Sequence, residues 1–134
     1  MSGPAAPLGT PPLLLIDAAN VVGSRPTGWW QDRAGAARDL VERLRRLGEP
    51  VVVVLEGAAR PGVPEGAYGP VKVVHAPGEG DDTLAALSAE LGARGPVTLV
   101  TADRELAGRA RRAAPTVAVA GPRRLLDRLD GLAP

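Results

Sequence analysis

The sequence predicts an α/β domain with a mostly parallel sheet and helices on both faces of that sheet. Two observations support this fold class. Short aliphatic runs alternate along the chain with longer segments whose apolar residues recur at helical spacing. The aliphatic runs are also continuous, which is typical of strands covered on both faces. With 134 residues, 45% of them hydrophobic, the chain is long enough for one domain with its own core.

The first part of the chain predicts two strands separated by a helix. A strand is expected at 13–16, where four aliphatic residues are consecutive, and another at 51–55. Between them, apolar residues at helical spacing predict a helix over 30–47, which Gly48 ends. The Gly- and Pro-rich segment 57–70 has no helical pattern and is expected to be a loop.

The remaining elements alternate regularly and bring the expected number of strands to five. They are strand 71–75, helix 81–91, strand 97–100, helix 103–113, strand 116–120 and a last helix to about 129. Such alternation predicts a three-layer α/β/α arrangement. Residues 1–12 are rich in Pro, Gly and Ala and are expected to be a disordered leader, so the folded domain is expected at 13–131.

Composition excludes several classes of function. The net charge of +1 gives no overall field that would attract nucleic acid or a membrane surface. The chain has no cysteine, which excludes thiolate zinc sites and cysteine nucleophiles, and its single His75 excludes a multi-histidine metal site. No apolar stretch is long enough to cross a bilayer, so we expect no membrane partner and a cytoplasmic location.

Acidic residues follow the predicted strands. Asp17 comes directly after the first strand, Glu56 ends the second, and Asp103 comes shortly after the fourth. The pair Asp81-Asp82 follows the third strand through a Gly/Pro turn. Because the carboxyl ends of parallel strands meet at one edge of a sheet, these carboxylates are expected to lie along that edge. A cluster of acids is destabilising unless a cation neutralises it, which predicts a divalent metal site.

Each of these acids also has an ordinary structural explanation. Asp17 could close its strand with a local turn, and the other aspartates could cap helices. Asp81 and Asp82 diverge by about a quarter turn or more on a helix, so they cannot serve one site equally, and either could be the closer ligand. Independent caps need not fall at the same ends of successive strands, and the joint pattern therefore favours a site.

Supporting roles are expected for three residues near these acids. Thr101 could hydrogen-bond a ligating carboxylate or a metal-bound water, as outer groups at metal sites commonly do. Glu56 is expected to lie farther from the centre and to support the ligands rather than bind the metal. Asn20, three residues after Asp17, could hold a phosphate or a water, or orient Asp17.

Three segments resemble the acidic motifs of the NYN branch of the PIN-like ribonucleases. They are 15–22, with Asp-x-x-Asn after a hydrophobic run, 80–82, with Gly-Asp-Asp, and 100–106, with Thr-x-Asp after a strand. The resemblance covers about residues 13–120 and implies a five-stranded PIN-like sheet of order 3-2-1-4-5. The sequence departs from the family pattern at Glu56, where relatives often have Asp before Gly.

The resemblance also implies an activity, the hydrolysis of RNA phosphodiester bonds with Mg²⁺ or Mn²⁺. We expect an endonuclease, although the residue patterns do not distinguish endonucleolytic from exonucleolytic cleavage. The four aspartates would bind the metal with Asn20 beside them, so the expected catalytic residues are Asp17, Asn20, Asp81, Asp82 and Asp103.

Contacts with the RNA substrate are expected from Arg104, which follows Asp103, and from Arg25 and Trp29 in the segment after Asn20. Arginine suits phosphate groups, and an aromatic ring can stack on an unpaired base. A solvated helix face explains the arginines of the later helices equally well. Self-association into a homo-oligomer is left open.

The main alternative is a non-catalytic RNA-binding or scaffold protein of the same fold, although retention of all four aspartates argues against it. A phosphatase that forms an aspartyl-phosphate is disfavoured, because Ala19 stands where an Asp-x-Asp motif needs its second acid. A phosphate-loop nucleotidase is disfavoured by the absence of a Gly-Lys-Ser/Thr motif. The toxin of a toxin–antitoxin pair is a further alternative.

Overall fold

The computed structural model describes residues 11–132. Most of the expected leader, 1–12, lies outside the described residues, and the boundaries of the expected domain at 13–131 stay a prediction. The strands are β1 (Leu13–Asp17), β2 (Val51–Leu55), β3 (Gly66–Tyr68), β4 (Val71–His75), β5 (Val97–Val100) and β6 (Ala118–Ala120). The α-helices are α1 (Ala18–Gly23), α2 (Arg33–Leu47), α3 (Gly80–Gly92), α4 (Arg104–Ala113) and α5 (Pro122–Asp130).

The strands form one mixed sheet in the order β3-β4-β2-β1-β5-β6. The five parallel strands follow the predicted order 3-2-1-4-5, which confirms that part of the prediction. The prediction of five strands is wrong by one, because β3 pairs antiparallel with β4 at one edge. The segment 57–70, expected to be a loop, contains β3 and a 3₁₀ helix at Gly57–Gly62. Neither has the length or the aliphatic run that predicts an element.

The helices also differ from the prediction in two places. The expected helix 30–47 begins at Arg33, after a single 3₁₀ turn at Trp29–Gln31, because Asp32 accepts a hydrogen bond from the Gly35 N–H at 2.8 Å and caps it. Helix α1 was not predicted, since its six residues are too few to show helical periodicity. It begins immediately after β1.

The sheet is covered by helices on both faces, which confirms the three-layer arrangement. Helices α1, α2 and α5 pack against one face with strand residues such as Ile16 and Val53. Helices α3 and α4 pack against the other face with residues such as Leu15 and Val52. Every residue of β2 is buried, which explains its unbroken aliphatic run. No helix within 11–132 is long and apolar enough to cross a bilayer.

The order of the strands creates a crevice between β1 and β5. After β1 the chain continues to β2 on one side, and it later returns to β5 on the other side of β1. The two strands lie in register, with Ile16 opposite Val100. Helices that follow strands on either side of such a reversal diverge, and they leave an opening at the carboxyl ends of the strands. Asp17 follows Ile16 at the end of β1 and Thr101 follows Val100 after β5, so both residues lie at this opening.

The 3₁₀ helix at Gly57–Gly62 packs unusually closely against the start of α2. A β-carbon added at Gly62 would lie 2.2 Å from the Ala34 carbonyl oxygen, which is shorter than any van der Waals contact. Only glycine therefore allows the two backbones to approach at this point. The contact holds the segment after β2 against the α2 layer.

We expect Gly62→Ala to lower the free energy of unfolding by about 1–3 kcal/mol, because the new methyl group must displace the backbone of α2. Gly95→Ala is the matched control, since a β-carbon there would meet no atom within 4 Å. Urea denaturation of the two variants makes the comparison. Equal stabilities would contradict the close approach at Ala34.

Candidate active site

Asp17 lies at the centre of the C-terminal edge of the sheet, and its carboxylate is almost entirely buried, with 9% of the residue exposed. One oxygen, Oδ1, accepts a hydrogen bond from the Asn20 N–H at 3.3 Å and caps α1. The other, Oδ2, accepts a hydrogen bond from the Thr101 hydroxyl at 3.0 Å. Asp17 is thus both a helix cap and a member of the acidic edge, so the two explanations of this residue do not exclude each other.

Thr101 links the ends of three strands at this edge. Its buried hydroxyl donates to Asp17 and accepts a hydrogen bond from the Asp103 N–H at 3.1 Å. Its backbone N–H donates to the Ala120 carbonyl at 3.0 Å, which attaches the end of β5 to β6. The sequence predicted that Thr101 could hydrogen-bond a ligating carboxylate or a metal-bound water, and in the structure its hydroxyl bonds the Asp17 carboxylate.

Asn20 connects the first turn of α1 to the segment that follows β5. Its side-chain oxygen accepts a hydrogen bond from the Ala102 N–H at 2.7 Å. The amide nitrogen of its side chain donates no hydrogen bond to residues 11–132. The position of Asn20 is therefore fixed from one side, while a donor remains for another group.

Asp103 and Asp81 begin the helices on the other face of the sheet. Asp103 caps α4 by accepting a hydrogen bond from the Leu106 N–H at 3.1 Å. Asp81 lies in the first turn of α3 and is half-buried. The carboxylate of Glu56 accepts a hydrogen bond from the Gly80 N–H and so joins the end of β2 to the start of α3. This hydrogen bond helps to keep the start of α3, and Asp81 with it, near the edge.

The pKa values of two carboxylates at this edge, Asp17 and Asp81, are raised. Burial is the largest cause of the raised pKa of Asp17, and the charges of Glu56 and Asp81 raise it further against the hydrogen bonds from Asn20 and Thr101. The pKa of Asp81 is raised by its partial burial and by the charges of Asp103, Glu56 and Glu79, while Arg109 opposes the shift. We call Asp17 and Asp81, together with Glu56 and Asp103, whose charges act on one or both of them, the acidic cluster.

Asp82 and Arg25 were predicted as site residues, and the structure gives both of them other partners. The Asp82 side chain is 87% exposed and accepts a hydrogen bond from Arg109 on α4 at 2.8 Å. Arg25 donates to Asp130 on α5 at 2.8 Å, and this contact raises the pKa of Arg25. Neither residue contributes to the interactions of the acidic cluster described above.

Trp29 and Arg104 were predicted to contact the substrate, and both border the acidic edge. Arg104 is exposed and lines an open depression together with Asp103 and Arg111. Trp29 forms one wall of a cavity that reaches Ala18 and Glu56. In the sequence, Trp29 precedes α2 and Arg104 follows β5, so the two residues border the edge from different segments of the chain.

The chemistry of the acidic cluster suits a hard divalent cation. Its donors are all carboxylate oxygens, and the pKa values of Asp17 and Asp81 are raised by burial and by neighbouring negative charges, both of which a cation would offset. Within residues 11–132, however, no three Asp, Glu or His side chains converge closely enough to hold one ion between them. Mg²⁺ commonly uses one or two carboxylates and keeps several waters. The residues therefore fit water-assisted binding of Mg²⁺ or Mn²⁺ and do not fit a cage made entirely of protein ligands.

Sequence reasoning missed the contact between Glu56 and Gly80, since no pattern joins residues 24 positions apart. It also missed the pairing of Asp82 with Arg109 for the same reason. The start of α1 did carry a signal, because an aspartate followed by two alanines is a suitable helix beginning.

No protein-family model and no curated protein matches the chain by sequence. Two crystal structures of Rae1 (YacP) from Bacillus subtilis are similar to it in structure. A point mutant of Rae1 matches with a TM-score of 0.70 and 18% sequence identity, over 90% of this chain and 76% of the Rae1 chain. The other Rae1 structure matches with a TM-score of 0.66 and 16% identity, over 88% and 73% of the two chains. The likeness shows that the chain has a PIN-like fold.

Asp17→Asn is expected to stabilise the protein at pH 7 in EDTA. The folded-state pKa of Asp17 lies above the ordinary 3.8, so the native state binds more protons between those two pH values and its stability falls as pH rises through them. The neutral amide avoids both the burial of a charge and the repulsion from Glu56 and Asp81. Chemical denaturation of both proteins at pH 7 and at acidic pH tests this expectation. The gain should shrink towards pH 3.8, and an equal or lower stability of the variant at pH 7 would contradict it.

Proposed function

We propose that the protein is a divalent-metal-dependent ribonuclease, which hydrolyses RNA phosphodiester bonds at the C-terminal edge of its sheet and cuts within the strand. The observation that carries this proposal is the placement of the acidic cluster along the C-terminal edge of the sheet, where Asp17 lies at the crevice between β1 and β5 and the pKa values of Asp17 and Asp81 are raised. Open α/β sheets bind their ligands at such reversals of strand order. The PIN-like fold and the three acidic motifs support the same activity.

Asp17 and Asp81 are proposed to hold Mg²⁺ or Mn²⁺, with Asp103 completing the site directly or through water. A divalent ion supplies relief of phosphate charge and a water of lowered pKa, which this chain's single histidine cannot supply alone. Thr101 fixes the orientation of the Asp17 carboxylate through its hydroxyl and thereby defines which carboxylate edge is available. Asn20 offers its free amide donor to a phosphate oxygen or to a water.

Arg104 and Arg111 are proposed to bind phosphates of the RNA strand as it leaves the acidic cluster. Both are exposed, both line the depression that contains Asp103, and neither makes an ion pair within the described part of the chain. Unpaired guanidinium groups beside a carboxylate cluster provide a counter-charge for an anionic substrate. Asp82 is proposed to act structurally through Arg109 rather than as a metal ligand.

A non-catalytic RNA-binding protein is the second candidate function. It is favoured by the lack of three converging metal ligands within residues 11–132. Such a protein would bind RNA with the same affinity in Mg²⁺ and in EDTA.

Cleavage of labelled single-stranded and structured RNAs, with Mn²⁺ or Mg²⁺ against EDTA, tests the proposed activity. We expect Asp17→Asn to abolish cleavage, because it removes the buried charge at the centre of the cluster. Asp82→Asn is the matched control and should retain cleavage within about a factor of two, since Asp82 is exposed and lies outside the cluster. A circular single-stranded RNA should be cut as well, which requires an endonuclease. Metal-dependent cleavage that survives Asp17→Asn would refute the assignment.

Thermal unfolding with Mg²⁺ or Mn²⁺ tests metal binding without any substrate. A ligand that binds only the folded state stabilises it by about 1.4 kcal/mol at ten times its dissociation constant. We expect the melting temperature of the wild type and of Asp82→Asn to rise with metal concentration, whereas that of Asp17→Asn should not change. A rise of equal size in all three proteins would place the metal elsewhere.

A further inference from the structure

A small cavity lies directly beside the acidic cluster, between α1, α2 and the segment after β2. Most of its lining is aliphatic and small, namely Ala18, Ala19, Val22, Ala37 and Ala59. Ala18 and Ala19 directly follow Asp17 in the chain, so the cavity and the proposed cleavage site share one stretch of backbone. Glu56 also lines the cavity and belongs to the acidic cluster, so a nucleotide bound at the cluster would lie beside this cavity.

The size of the cavity restricts its occupant. Its volume is about 130 Å³, well below the roughly 300–1,000 Å³ of pockets that enclose drug-sized ligands. A cavity of this volume with an aliphatic lining suits a single ring system. The sugar and phosphate of a nucleotide would have to remain outside, towards the acidic cluster.

The walls of the cavity provide a stacking surface. Trp29 is half-buried and packs against Gly23, where an added β-carbon would lie 3.3 Å from its ring. The guanidinium carbon of Arg33 lies 5.3 Å from the centroid of the Trp29 ring. Arg33 is exposed and makes no hydrogen bond or ion pair with the other described residues. Unstacked bases of single-stranded RNA stack on aromatic rings and on arginine guanidinium planes of this kind.

A carboxylate also lines the cavity. Glu56 borders the cavity, and its Oε2 already accepts a hydrogen bond from the Gly80 N–H. Its Oε1 accepts none within residues 11–132. A carboxylate oxygen accepts hydrogen bonds from an exocyclic amino group, which cytosine, adenine and guanine carry and uracil lacks.

We propose that this cavity is a base-binding pocket that takes one unstacked nucleobase of the RNA strand, with Trp29 and Arg33 as the stacking surface and Glu56 as the acceptor for an exocyclic amino group. The inference rests on the proposed function, because it assigns the base next to the phosphodiester that the acidic cluster would hydrolyse. The Glu56 side chain contacts the start of α3 and also lines the cavity.

The test measures RNA binding in EDTA, where no metal-dependent cleavage occurs, by fluorescence anisotropy of short labelled oligo(rA), oligo(rC) and oligo(rU). Trp29→Leu keeps an apolar side chain against Gly23 and removes the π face, so it should weaken binding by about 5- to 150-fold. Trp29→Phe should retain most of the affinity, because it keeps an aromatic face. Trp30→Leu is the matched control, since Trp30 is 56% exposed and does not line the cavity, and it should change affinity less than about twofold.

The role of Glu56 is tested by the ratio of affinities that one protein has for oligonucleotides with and without an exocyclic amino group. Wild type should bind oligo(rA) and oligo(rC) about tenfold more tightly than oligo(rU). Glu56→Gln should bring this ratio towards one, because the amide also donates to a uracil carbonyl. A general loss of affinity caused by weaker attachment of α3 cancels in the ratio.

Failure of the pocket and failure of the nuclease are separable. Unchanged binding by Trp29→Leu, an equal loss in Trp30→Leu, or no measurable RNA binding by the wild type would overturn the pocket. Cleavage by the wild type that Asp17→Asn abolishes would then leave the proposed function in place. Loss of binding in Trp29→Leu alone supports the pocket even if no RNA is cleaved.

Discussion

The hydrogen bond from the Thr101 hydroxyl to the Asp17 carboxylate is the contact on which the acidic edge depends. It crosses the one point where the strand order reverses, and it is buried at both ends. A buried carboxylate without such a donor would be strongly destabilising, and hydrogen bonds to the charged form offset part of that penalty. The same hydroxyl accepts from the Asp103 N–H, so one side chain fixes the relative position of two members of the acidic cluster.

Helix α3 shows how adjacent identical residues take different roles. Asp81 is half-buried and repelled by the other acids of the cluster, whereas Asp82 is exposed and paired with Arg109. The divergence of consecutive side chains on a helix produces this difference. The pair of Asp82 with Arg109 joins α3 to α4, while Glu56 holds the start of α3 against the sheet. The helix is thus fixed through Gly80 and Asp82, the two neighbours of Asp81.

The sequence predicted the features that depend on neighbouring residues, and it did not predict those that depend on contacts between residues far apart in the chain. The consecutive valines of β2 predict a central strand, because a strand that is buried on both faces has a continuous aliphatic run. Gly48 ends α2 in the left-handed conformation expected of it, with φ of 73°. Short elements such as α1 and β3 carry too few residues for a period, and they form because neighbouring structure holds them. Which of Asp81 and Asp82 lies nearer the cluster depends on how α3 is rotated against the sheet, and the two adjacent aspartates do not show this in the sequence.

The two edges of the sheet have a further consequence for contacts between copies of the chain. Both edge strands, β3 and β6, contain only three residues, and β3 begins with a glycine. Long, flat edges with unpaired backbone groups are templates onto which strands of another molecule add, and short edge strands reduce that risk. Because β3 pairs with the longer β4, few consecutive backbone donors and acceptors of β4 remain free. The hairpin thereby protects the parallel sheet against edge-to-edge aggregation.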